Sequence, residues 1–92
     1  MNKGLDKMTA KEIVEDFNEN AMYQVLKENK KRYKIKDMQL NDIFTVTKKE
    51  WYEKIITYWV EEVIFLNKEM TFKEYADTYT MLDTLEKAVK NA

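Results

Sequence analysis

Lys31-Arg32-Tyr33-Lys34-Ile35-Lys36-Asp37-Met38-Gln39-Leu40-Asn41-Asp42-Ile43-Phe44-Thr45-Val46-Thr47 decides the fold, because it carries two periods at once. Tyr33-Lys34-Ile35-Lys36 alternates apolar with polar, and so does Phe44-Thr45-Val46-Thr47, which is the period of a strand. Read that way, the stretch is a hairpin turning near Asn41-Asp42. Read the other way, Asp37 caps a short helix over 38–44 that packs Met38 or Leu40 with Ile43 and Phe44. A lone two-stranded ribbon is marginal in water, so the short helix is the favoured reading.

Outward from this stretch, one start signal recurs. Thr-x-x-Glu stands at Thr9–Glu12, Thr47–Glu50 and Thr71–Glu74, each time where an amphipathic run begins. In a capping box the Thr hydroxyl accepts from the N3 amide while the Glu reaches back to the cap amide. Three such boxes predict helices near 10–30, 48–67 and 72–90. The first presents Ile13, Val14, Phe17, Ala21 and Val25 as one stripe, with Met22, Tyr23 and Leu26 slipping off it, so a kink near Asn18–Asn20 or a change of neighbour is expected. The third lines up Phe72, Tyr75, Tyr79, Leu82, Leu85 and Val89.

The second helix is apolar over roughly 260° of its circumference, from Phe65 and Tyr58 through Trp51, Leu66 and Trp59 round to Val60 and Ile64. A helix of that kind must be covered nearly all round and is expected at the centre. The expectation is therefore an all-α domain: a compact three-helix arrangement, with a fourth short helix over 38–44, around an aromatic-rich central helix. Residues 9–92 form one helical domain, and residues 1–8 a flexible N-terminal segment.

Composition narrows the chemistry. The 92 residues contain no Cys, His or Pro, and one glycine, Gly4. Without His and Cys the commonest general base, nucleophile and transition-metal ligands are missing. One glycine cannot build a phosphate-cradling loop. Asp37 and Asp42 do not have the spacing of a calcium loop, and adjacent Glu61 and Glu62 point about 100° apart on a helix. No catalytic, metal or cofactor residue is assigned, and the chain is expected not to be an enzyme. The polar start, the absence of cysteine and the lack of an apolar span point to the cytoplasm, away from the membrane. Lysine outnumbers arginine fifteen to one, and Asn, Ile and Tyr are abundant, as in AT-rich phage or mobile-element genomes.

Net charge is −1, unevenly spread: Lys27, Lys30, Lys31, Arg32, Lys34 and Lys36 against Glu28 give a local +5, leaving −6 elsewhere. This basic patch invites a nucleic-acid reading through counterion release. A single arginine and an acidic overall balance weigh against it, and the bland reading is a solvated helix end whose lysines complement the helix dipole. The other candidate surface is the heptad Trp51, Tyr58, Phe65, which follows one edge of the central helix beside Lys54 and Glu61. Large aromatics at an apolar border have the composition of interface hot spots. Glu62, set among apolar residues, is either solvated, ion-paired to the basic segment or part of that interface. The function expected is a small protein-interaction module, such as an adaptor, inhibitor or assembly factor, binding another protein or a second copy. The alternative is a nucleic-acid-binding regulator using Lys27–Lys36. No small-molecule substrate is expected.

Overall fold

The computed structural model describes residues 7–65 and 69–92. The element order is α1 (Ala10–Asn20), β1 (Tyr23–Glu28), β2 (Arg32–Asp37), β3 (Asp42–Thr47), α2 (Lys48–Tyr58), a π-helical segment (Trp59–Phe65) and α3 (Phe72–Asn91). The all-α, helical-bundle expectation is overturned. A three-stranded antiparallel sheet, ordered β1-β2-β3, packs against α1 and α2, with α3 against α2, giving an α+β fold.

The predicted first helix stops half-way. Its Thr9–Glu12 capping box is formed as read, and Ile13, Val14 and Phe17 are buried. At the end of α1 the Ala21 amide donates to the Phe17 carbonyl, and Met22 takes a left-handed φ of 61°. Only a few per cent of non-glycine residues adopt that region, and here it turns the chain out of the helix into β1. The slip of Tyr23 and Leu26 off the helical stripe marks this change of period.

β1 is what rescues the hairpin. Tyr33 and Ile35 alternate into the core as the strand reading had it, and Val25, Ile35 and Phe44 stand opposite one another across the sheet. Three strands with one covered face are stable where two are marginal, so the argument for a helix over 38–44 fails. Asp37 does act as a cap, but of a turn: its Oδ1 accepts from the Gln39 and Leu40 amides at 2.9 and 3.1 Å. Asn41, at φ 54°, then reverses the chain into β3, a conformation Asn tolerates better than most residues. The β1–β2 connection works the same way, with Asn29 Oδ1 accepting from the Lys31 and Arg32 amides. Neither turn uses glycine or proline.

Thr47 closes β3 and caps α2 through a complete capping box with Glu50, and Thr71 caps α3 by accepting from the Glu74 amide. The central helix is α-helical only to Tyr58, after which i→i+5 bonding widens the turn through Phe65. Leu66, a member of the predicted arc, lies outside the described residues, as do residues 1–6 of the N-terminal segment. Met8 packs against the core. On α3 the buried stripe is Thr78, Met81, Leu82 and Leu85, while Phe72 and Tyr79 stay 90% and 58% exposed. The helix is therefore rotated from its predicted face, and the Thr78 hydroxyl is satisfied by the Glu74 carbonyl at 2.7 Å.

Candidate functional site: the outer face of the sheet

The aromatic heptad does not form a ridge. Trp51 is 2% exposed and sits in the core, its ring centroid 5.0 Å from Tyr23, 5.9 Å from Phe44 and 6.1 Å from Phe17. Tyr58 is at the border and packs edge-on against Phe17 and Trp59. Phe65, at the end of the π-helical segment, is 75% exposed. A seven-residue repeat drifts by about 20° per heptad on a 3.6-residue helix, which carries Tyr58 to the border, and the wider π turn that begins at Trp59 takes Phe65 further off the line. Tyr58 and Glu62 do meet, in an open cleft of about 750 Å³ between α1 and the central helix, whose walls include Asp16, Phe17, Trp59 and Glu61. Glu62 is exposed there.

The basic run, in contrast, is gathered by the fold. Strands alternate their faces, so the register that buries Tyr33 and Ile35 turns Arg32, Lys34 and Lys36 to the opposite, outer face of β2. Lys34 stands opposite Lys27 of β1 on one side and Thr45 of β3 on the other. Gln24 and Ile43 flank Lys36 in the same row. The predicted solvated helix end is thus a sheet face, with three cations at two-residue steps of about 6.6 Å. Arg32, Lys34 and Lys27 are exposed and Lys36 is half-buried. Lys30 and Lys31 extend the cluster into the β1–β2 turn. None of these six cations has an ion pair among the described residues. The one acid of the run, Glu28, lies on the core-facing side opposite Tyr33 and binds Lys48 at 2.7 Å.

The core-facing side of the sheet is electrostatically quiet. Burial pushes the Tyr33 phenol far above its ordinary value, with the nearby Tyr52 phenol and Glu28 reinforcing the shift, so it is neutral at any ordinary pH. Lys48 reaches across the same ring, 5.2 Å from its centroid. Burial likewise raises Tyr23, with Asp37 adding to the effect. Among the described residues no group of three or more His, Cys, Asp or Glu gathers to hold a metal, and no helix is long and apolar enough to cross a membrane.

Sequence reasoning found every cation of this surface but not the surface itself. The alternation Arg32-Tyr33-Lys34-Ile35-Lys36 was the signal: apolar and basic residues strictly interleaved describe a strand with a core face and a cationic face. Neither a protein-family model, nor a curated protein, nor a solved structure matches this chain.

Proposed function

We propose that this chain is a small non-enzymatic binding module, working in the cytoplasm, whose main partner is a nucleic acid held against the outer face of its sheet. The observation that supports the reading is the row Arg32–Lys34–Lys36 with Lys27 beside it, four cations on one face with no acid among them. Each cation brought against a phosphate releases a condensed counterion, which is the main source of sequence-independent affinity. The outer face carries no aromatic residue, so it lacks the stacking platform on which single strands are held. Duplex backbone is the better match. The asymmetry of charge, +5 over residues 27–36 against −6 elsewhere, orients the basic face toward a polyanion.

The test is a titration of the isotopically labelled protein with a short random-sequence duplex, followed by backbone NMR. Amide shifts concentrated on Gln24, Lys27, Lys34, Lys36, Ile43 and Thr45 are expected. Shifts centred on the Tyr58–Glu62 cleft, or none at all, would move the binding surface elsewhere.

A second reading, a protein partner or a second copy, has its own support. Phe72 and Tyr79 are seven residues apart on α3, hence on one side of it, and both are exposed. Exposed aromatics on a common helix face have the character of an interaction surface, and this face replaces the Trp51–Tyr58–Phe65 ridge in that role.

A further inference from the structure

At the end of the β2 row the basic face folds into a cavity. It has a volume of about 560 Å³ and lies where the β1–β2 turn, the start of α2 and the last turn of α3 meet. Lys30, Lys31 and Arg32 form one wall, Lys48 and Lys49 a second, and Tyr52 lines the interior. Lys48 is engaged by Glu28, which leaves Lys30, Lys31, Arg32 and Lys49 as four cations around one cavity with no ion pair among the described residues. The amide end of α2 adds little directly. The Lys48 amide donates to the Lys31 carbonyl and the Glu50 amide to the Thr47 hydroxyl, so the side chains and not the helix end make the site. The cluster is also held in place: Asn29 Oδ1 fixes the turn bearing Lys30 and Lys31, and the Lys48–Lys31 backbone bond pins that turn to α2.

Four cations lining one cavity exceed what one diester phosphate of a backbone needs, since each diester carries a single charge. A phosphate monoester carries close to two charges at neutral pH and offers three acceptor oxygens. We infer that this cavity is a phosphate-monoester site, taking either the terminal phosphate of a nucleic-acid strand or the phosphate of a free nucleotide. Arg32 belongs both to the cavity and to the β2 row, so a duplex lying along the row delivers its end to the cavity. In that form the inference rests on the sheet-face reading, whereas binding of a free nucleotide does not.

The test compares the same short duplex with 5′-phosphate and with 5′-hydroxyl ends, and adds AMP alone, against the full chain. Wild type is expected to bind the 5′-phosphorylated duplex about tenfold more tightly, the scale of one added charge-assisted contact. A Lys49→Gln variant, altered at one exposed position outside the sheet face and the β1–β2 turn, should lose most of that preference while binding the 5′-hydroxyl duplex nearly as wild type does. AMP binding with amide shifts at Asn29 and Tyr52, but no end preference on duplex, assigns the cavity to a free nucleotide. If AMP binds and neither duplex does, the cavity stands and the sheet reading falls. Equal binding of both duplexes with no AMP shifts overturns the cavity and leaves the sheet reading intact. A Lys49→Gln variant that melts lower yet keeps the end preference also overturns it, and shows that this lysine serves the carbonyl end of α3.

Discussion

The indole Nε1–H of Trp51 donates to Asn18 Oδ1 at 2.9 Å, with both side chains buried. This bond ties α1 to α2 at the point where Phe17, Tyr23 and Phe44 converge on the indole ring. A tryptophan expected at an exposed edge is therefore the centre of the core. Trp51→Ala should cost about 3–5 kcal/mol, a large part of the stability of a domain this small. Asn18→Ala should cost about 1–3 kcal/mol, because it strands a buried donor. In denaturant melts the Asn18→Ala/Trp51→Phe pair should show a coupling of about 1 kcal/mol. Additive costs would mean that the bond contributes nothing.

Met22 tests the helix-to-strand switch. Its left-handed backbone carries a side chain that glycine would do without. Met22→Gly should leave the melting temperature unchanged or raise it, whereas Met22→Val should cost about 1–2 kcal/mol, since a β-branched residue resists positive φ most strongly. If valine is tolerated as well as glycine, the chain does not turn at this residue.

The pH dependence at acid is set in part by Glu50. Hydrogen bonds from the Thr47 hydroxyl and backbone amide hold its carboxyl below the ordinary value of 4.5. With a depressed folded value, the stabilisation is fully present above pH 4.5 and is lost as the pH falls through the folded value. Glu50→Gln keeps the shape of the box without the charge. The stability gap between wild type and this variant should be constant above that pH and shrink below it in acid melts. A gap independent of pH would show that the charge has no part in the cap.

The apolar side of α3 gives a separable prediction for the second reading. Phe72→Glu/Tyr79→Glu should leave circular dichroism and melting close to wild type, because neither side chain is buried. The variant should remain monomeric at concentrations where wild type self-associates in sedimentation velocity. Identical sedimentation of the two removes this face from the functional account.

Much of the helical layer was legible, and for one reason. A capping box is a local device, so Thr9, Thr47 and Thr71 announce their helices without knowledge of the rest of the chain. The sheet was not legible, because β1 follows α1 without glycine or proline and its residues pass for a continuing amphipathic helix. Met22 does the work of a helix-ending glycine, and Asn29 and Asn41 do the work of turn glycines. With residues 23–28 read as helix, Tyr33–Lys36 and Phe44–Thr47 have no third strand to stabilise them. The widening of the central helix after Tyr58 has no sequence signal comparable to a cap, and it takes Phe65 off the heptad line, while Trp51 is already in the core. The basic residues were plain in the composition, but their common face depended on the strand assignment.

The claim that the outer sheet face binds nucleic acid is tested most directly by the salt dependence of binding to a random duplex. Log affinity against log salt should fall with a slope of about −3 to −4 for wild type, near −0.9 for each of Lys27, Arg32, Lys34 and Lys36. Each single alanine substitution at these positions should shallow the slope by close to one, and the quadruple variant should bind no more tightly than a protein without a basic face. A slope near zero, or one that the quadruple substitution leaves unchanged, would contradict the account.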